Sequence, residues 1–290
     1  MSKKQITGIS IVVVLIAIYF GVKMYASNVA EAKVNEAIAK AANFADIDYK
    51  NVSVDLLGMD VRISDILVSP ADAKEKIKID EIVIYDIDDK SDIPSFLSMT
   101  CSGIELNVKN LGEDPKKKLM DLGYNDKVLV NLTTDYTYSK EKKELHIKKL
   151  SIGADEVGKI NVSFRLGNIS LEQEAIAGLL FSFRQIIFHE AKIEYNDDSL
   201  AERLIKLGAK EQQVSAEDFR KTLIKNVETE IAKEKDEFAQ KALSEVKEFL
   251  VDPDEFSISA SPSKPQPLGR IMRANDPKDI INLLNIHIKS

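Results

Sequence analysis

Between residues 128 and 138 the side chains alternate: Val128, Val130, Leu132, Thr134, Tyr136 and Tyr138 fall at even positions, with Asn131, Thr133, Asp135 and Thr137 between them. Successive side chains of a strand point to opposite faces, so this period of two builds a β-strand with one apolar and one wet face. A helix would scatter the same residues around its circumference. After a polar turn at residues 140–143, Leu145 and Ile147 are followed by Leu150 and Ile152, a change of parity that predicts a β-bulge. Beyond Gly158, Ile160, Val162, Phe164 and Leu166 point inward while Asn161, Ser163 and Arg165 point outward, which predicts an antiparallel meander. Earlier segments repeat the pattern at Val52 and Val54, at Met59, Val61 and Ile63, across Ile77–Ile87, and at Ile104, Leu106 and Val108. Gly58 and Pro70 punctuate them as turns or breaks.

The second half changes period. Ser170 with Gln173, Ser199 with Glu202, and Ser215 with Asp218 are spaced as capping boxes, in which a hydroxyl accepts a first-turn amide and an acidic or amide side chain reaches back. They predict helices over residues 171–187, burying Ile176, Leu179, Leu180 and Phe183; over 200–207, presenting Leu200, Leu204 and Leu207; and over 216–250. The longest carries Phe219, Leu223, Val227, Ile231, Phe238, Ala242, Val246 and Phe249 in one stripe and ends before Asp252-Pro253. Between them Ala191, Ile193 and Tyr195 alternate with Glu190, Lys192 and Glu194 as a strand. The tail gives a strand over 256–260, an extended stretch at Pro262, Pro265 and Pro267, and a last strand with Leu284, Ile286 and Ile288. Strands followed by helices define an α+β class: a mainly antiparallel, curved β-sheet packed with several helices.

Ahead of the first strands, residues 6–22 contain no charged side chain and are flanked by Lys3, Lys4 and Lys23. That length suits a membrane-spanning helix, with Ile6, Ile9, Val12, Leu15, Ile18 and Val22 among its apolar residues and Lys23 snorkelling to the head groups. Small residues do not follow the run closely, so its flanks favour a retained anchor over a cleaved signal peptide. The expected organisation is a cytoplasmic tip and transmembrane anchor at 1–26, a helical stalk at 27–45, and an extracytoplasmic α+β domain at 46–290. The expected location is the inner membrane, single-pass, with the body in the periplasm.

The net charge of -7, with acidic and basic residues interleaved, argues against a nucleic-acid partner. A single cysteine, Cys101, excludes an internal disulfide framework and reads as a small buried hydrophobe. The N-x-S/T sequons at Asn51, Asn131, Asn161 and Asn168 fall in or beside strands and read as chance. His146, His189 and His287 each lie inside alternating strand sequence, without metal-ligand spacing to another histidine, cysteine or carboxylate. Asp86, Asp88, Asp89 and Asp92 crowd one turn, but the loop lacks the glycine and terminal glutamate of an EF-hand and reads as solvated. Two glycines, Gly153 and Gly158, join two strands and open no helix, which argues against a dinucleotide loop. No nucleophile elbow, catalytic constellation or cofactor motif emerges, and the expectation is a protein that is not an enzyme and has no cofactor.

Two stretches suggest a family. Residues 52–68 (Val-Ser-Val-Asp-Leu-Leu-Gly-Met-Asp-Val-Arg-Ile-Ser-Asp-Ile-Leu-Val) with 78–84, and residues 145–166 with Gly158 at their middle, resemble AsmA-like bacterial envelope proteins in their strand grammar. The resemblance covers about half of the chain, which is short for that family and spends much of its second half on helices. It implies a membrane association, a sheet whose apolar concave face accommodates acyl chains, and a part in lipid movement or outer-membrane homeostasis. The expected partners are the lipid bilayer and a phospholipid or another envelope protein. The expected function is that of a membrane-anchored envelope protein without a catalytic site that binds or transfers lipid through an apolar sheet face. The alternative is a structural or adaptor protein of the envelope that binds another protein.

Overall fold

A computed structural model describes residues 35, 38, 45–55, 60–70, 76–88, 91, 94–171 and 182–290. The chain divides into two compact units, one running to Met120 and including Tyr124–Lys140, the other comprising Asp121–Gly123 and Glu141–Ser290.

The first unit carries β1 (Ala45–Asp48), β2 (Asn51–Val54), β3 (Val61–Pro70), β4 (Ile77–Ile87), β5 (Phe96–Asn107) and β6 (Lys127–Ser139), with α1 (Glu113–Asp121) in the β5–β6 connection. All pairings are antiparallel in the order β1-β3-β4-β5-β6, and β2 shares the β1 side of β3. Strict alternation would turn Ile66 and Val68 away from the face used by Val61 and Ile63. Asp65, at φ 53, resets the parity without shifting the register, a left-handed conformation that aspartate tolerates better than most residues, and all four are buried. Gly103 does similar work in β5, where the register with β6 shifts between Cys101 and Ile104. Its amide donates to Asn131 Oδ1 at 2.9 Å, which replaces a missing ladder bond. The resulting core draws on β3, β4 and β5, with Val61 and Ile79 wholly buried, and Ile38, Tyr49 and Val52 pack against it. Cys101 lies inside β5 rather than ahead of the strand that the sequence placed at Ile104.

The second unit carries β7 (Glu144–Ala154), β8 (Gly158–Gly167), β9 (Ile187–Asp197), β10 (Glu255–Ala260) and β12 (Ile286–Lys289) in that antiparallel order, with the short β11 (Gln266–Pro267) on the start of β9. The parity change in β7 is the expected bulge, with the register shifting between Ile147 and Leu150. Helices α2 (Leu200–Gln212), α3 (Ala216–Lys233), α4 (Glu237–Val251), α5 (Leu268–Ile271) and α6 (Pro277–Leu284) fill the connections. The single helix expected over 216–250 is two. Glu234 leaves helical geometry, its carboxylate accepts the Lys235 and Asp236 amides, and Asp236 caps α4 by accepting from Ala239 N at 2.9 Å. Lys247 of α4 reaches Glu228 of α3 at 3.6 Å, so the pair folds back as a hairpin. Ser215 caps α3 as its spacing implies, accepting from Asp218 N at 3.0 Å. Ser199 does not cap α2; Asp197 accepts the first-turn amide of Ala201 instead. Of the helix expected over 171–187, residues 172–181 lie outside the described residues, and the described end is a 3₁₀ turn at Phe183–Gln185 leading into β9.

The expected α+β class with a leading transmembrane helix is therefore corrected. Among the described residues the architecture is mostly antiparallel sheet, twelve strands with few helices, because the chain returns to strand after each helical stretch, at β9, β10 and β12. Among the described residues no helix is long and apolar enough to cross a membrane. The longest, α3, spans 18 residues but carries Glu217, Asp218, Arg220, Lys221 and Lys225 within its first ten positions. The anchor residues Ile6, Ile9, Val12, Leu15, Ile18 and Val22 lie outside the described residues.

Candidate functional site: an open apolar sheet face

Directly opposed residues of antiparallel strands share a face, so the register of the second unit can be read as rows. One row runs Leu150, Val162, Ile193, Ile258 and Ile288 across β7, β8, β9, β10 and β12. A second runs Ile152, Ile160, Tyr195 and Phe256, and a third Ile147, Phe164, Ala191, Ala260 and Ile286. Every side chain in these rows is apolar or aromatic. The parity assigned to β8 and β9 from sequence is thus correct, yet the word "inward" is not. Ile152 and Ile193 are each 53% exposed, Ile160 47%, Ile258 43% and Leu150 41%.

Helix α4 covers part of this face. The Phe249 ring meets Tyr195 at 6.2 Å between centroids and Phe256 at 5.8 Å, the latter edge to face, and Ser290 N donates to Glu245 at 2.8 Å. Beside β12, Phe238, Ala242 and Ile281 face Ile286 and Ile288 around a cavity of about 280 Å³. Among the described residues nothing covers the strip on β7, β8 and β9, and its isoleucines stay about half exposed. Fully burying an isoleucine or leucine contributes roughly 1.5–3 kcal/mol, so five half-exposed side chains leave several kcal/mol of burial unrealised. A contiguous apolar surface of this kind marks a place where something else binds.

The opposite face is polar and charge-paired. Arg165 donates to Glu144 at 3.0 Å, a bond that holds the Glu144 carboxyl below the usual carboxylate range and raises the guanidinium. Lys192 pairs with Glu194, whose carboxyl is lowered first by that bond. Asn161 Nδ2 donates to Glu194 Oε1 and Asn196 Oδ1, each at 3.0 Å.

The residues weighed from sequence as chemistry are dispersed. His146 opposes Arg165 in β7, His287 is exposed opposite Ser259 in β12, and His189 lies in β9 against Gly167, where a Cβ would come within 2.9 Å of its Nε2. Glu190 opposes Arg165. Asp88 holds its own loop, accepting from Ser95 N at 3.0 Å and Ser95 Oγ at 2.6 Å; Asp89 and Asp92 lie outside the described residues. Among the described residues no group of three or more histidine, cysteine or acidic side chains could hold a metal. Cys101 is buried, and burial pushes its thiol up to about 12, far from a reactive thiolate at neutral pH. The lysines around the wet face of β7–β9 escaped the sequence reading. Their signal was the Lys148-Lys149 pair sitting in the very bulge that the parity change announced.

A family model described only as "Uncharacterized protein" matches residues 151–290, which include most of the open face. An uncharacterized protein of Aquifex aeolicus (strain VF5) is 27% identical over 229 residues, covering 74% of each chain. Neither description names an AsmA-like protein, and both show what this chain is similar to without assigning an activity.

Proposed function

We propose that this protein binds lipid acyl chains, without catalysing a reaction, on the open apolar face of β7–β9. The observation that carries the reading is the run of exposed isoleucine and leucine side chains in adjacent register across three strands, continuing under Phe249 of α4. A flexible hydrocarbon chain matches a smooth aliphatic strip that offers it no hydrogen-bonding group. The reading agrees with what the resemblance to AsmA-like proteins implies for an apolar sheet face.

The test is titration of the full chain with a fluorescent fatty acid, together with organic extraction of the purified protein and identification of any phospholipid released. Saturable probe binding is expected, weakened at least about tenfold by Ile160→Asp or Ile193→Asp, since a carboxylate in the strip must be desolvated by the bound chain. No probe binding and no co-purified lipid would remove the lipid reading and leave the adaptor alternative, in which a partner protein covers the same strip.

A further inference from the structure

The arginines fall into two groups. The chain has seven, and Arg62, Arg165, Arg203 and Arg220 each pair with a glutamate carboxylate. Arg184, Arg270 and Arg273 make no ion pair among the described residues, and all three are exposed. The fold gathers these three around Gly269, although Arg184 is remote from the others in sequence. The short β11 pairs with the start of β9, and Leu268 N donates to Ile186 O at 2.8 Å. A Cβ added to the buried Gly269 would lie 3.0 Å from Arg184 O and 3.1 Å from Arg184 Cβ, so a glycine lets the two segments meet. Arg273 Nε donates to Gly269 O at 2.9 Å and Arg270 Nη1 to Gln266 Oε1 at 3.0 Å, so neutral acceptors orient both guanidiniums without cancelling their charge. The Arg184 guanidinium lies 6.0 Å from the centre of the Phe183 ring. Both segments lack acid: residues 182–189 and 256–275 contain no aspartate or glutamate, and Lys264 adds a fourth exposed cation. The next carboxylate along the chain, Asp276, accepts from Lys278 N at 2.9 Å as the cap of α6.

We infer that this acid-free patch docks the protein on an anionic phospholipid surface. Planar guanidinium forks match phosphate oxygens in pairs and are more weakly hydrated than ammonium groups, which suits them to phosphodiester head groups. The cations stand on exposed turns, the form that meets a surface instead of enclosing a small ligand. Met272, in the same turn as Arg270 and Arg273, is 58% exposed. A flexible thioether there has no counterpart on the backbone of a nucleic acid, whereas at a bilayer it reaches the acyl boundary beneath the phosphates. Three arginines and a lysine carry +4 in a chain of net charge -7, so the patch also selects which side of the molecule approaches an anionic surface. The inference goes beyond the acyl-chain reading and does not need it, because it rests on charges at the start of β9 and on α5 and not on the exposed isoleucines.

The experiment places an environment-sensitive fluorophore on Met272→Cys of the full chain, where Cys101 is buried and stays unlabelled, and titrates it with vesicles of phosphatidylglycerol or of phosphatidylcholine. A label at this one position reports the docking of this turn, whatever other part of the chain meets lipid. A saturable blue shift is expected with phosphatidylglycerol alone, weakened by salt because exposed charges are screened. Each cation near an anionic surface strengthens association roughly fivefold, so Arg184→Gln/Arg270→Gln/Arg273→Gln should weaken it on the order of a hundredfold. Arg270→Gln alone should cost about fivefold, whereas Arg220→Gln, which removes the same charge from a matched pair, should cost less than about twofold. Equal losses from these two single variants would reduce the effect to net charge and overturn the inference. The same shift with phosphatidylcholine, no shift with either lipid, or a response that the triple variant leaves unchanged also overturns it. Displacement of the vesicles by a single-stranded oligonucleotide that binds more tightly would reassign the patch to nucleic acid and overturn it as well. Ile160→Asp keeps the two readings apart: it should weaken acyl-probe binding and leave the response of the label intact.

Discussion

The two units are written in the same alternating pattern and end differently. In the first, the apolar faces of β3, β4 and β5 close into a core in which Ile79 and Val61 are wholly buried and Ile38 and Tyr49 pack against the cluster. In the second, equally apolar rows on β7, β8 and β9 are left about half exposed. Alternation decides that a sheet forms and which side chains share a face. What lies over that face is a separate question, answered by packing from elsewhere in the chain or by a ligand.

The largest test of the contrast substitutes one isoleucine in each unit. Ile79→Ala should cost roughly 2–5 kcal/mol, because it removes three buried methylene-sized groups and leaves a cavity. Ile193→Ala, on the open strip, should cost under about 1 kcal/mol, since about half of its surface is still in contact with water and no closed cavity is left. Urea unfolding of both variants checks the difference. Cys101 gives the first unit its own reporter: its buried thiol, with its pKa pushed up to about 12, labels only when the unit opens, so Ile79→Ala should accelerate labelling about a hundredfold. Equal costs at the two isoleucines would mean that the strip is covered in solution, and the proposed lipid site would fail with it.

A smaller effect comes from glycines in corresponding roles. A Cβ on Gly103, at φ 66, would lie 2.2 Å from Asp80 Oδ2, and the conformation itself disfavours any other residue. Gly103→Ala should cost about 1–3 kcal/mol. Gly153 in β7 has ordinary backbone geometry, and the nearest atom to an added Cβ is Lys159 Cγ at 3.5 Å. Gly153→Ala should be close to neutral by thermal melting, and a large loss there would show that the second sheet is as tightly packed as the first. Smaller again, Asp236→Ala removes the cap that separates α3 from α4 and should cost about 1 kcal/mol, with Asp236→Asn retaining most of it; thermal unfolding monitored by circular dichroism decides.

Much of the sheet is legible in the residues themselves. The strands at Ile77–Ile87, the 128–138 stretch, the bulge between Ile147 and Leu150 and the partition of Ile193 from Lys192 all follow from period two and its interruptions. Three features did not. Asp65 shifts parity without any glycine to mark it, so the inward set Ile66 and Val68 is invisible to strict alternation. The break at Glu234 to Asp236 lies inside a stripe that reads as continuous from Phe219 to Phe249, because a charged trio is equally at home on a helix surface and in a cap. The exposure of Ile160 and Ile193 depends on where α4 lies, a long-range outcome that the local pattern does not encode. The lysines of the wet face suffer the opposite problem: isolated in sequence at 148, 149, 159 and 192, they read as ordinary strand polarity until the register sets them around one cavity.

The last and smallest effect concerns how the open sheet is held on its wet side. Arg165 keeps the Glu144 carboxyl below its ordinary range, chiefly through their hydrogen bond, and Lys192 does the same for Glu194. A carboxylate whose folded-state pKa is depressed contributes stability that is fully present above its unfolded pKa, about 4.3 for glutamate, and lost as the pH falls through the lower folded value. Acid should therefore loosen β7–β9 below about pH 4.3, while a core built from Ile79, Val61 and their neighbours gains nothing from these two groups. Titration of the Glu144 side-chain carbon by NMR in the native chain and in Arg165→Gln reads the effect directly. The native carboxyl should titrate lower, and the variant should return it towards the ordinary range and flatten the acid limb of hydrogen exchange in β7 and β8. Identical titration curves would mean that the ion pair is not formed in solution, and the wet face would then be held without it, by the Lys192–Glu194 pair, the Asn161 hydrogen bonds and the backbone ladder.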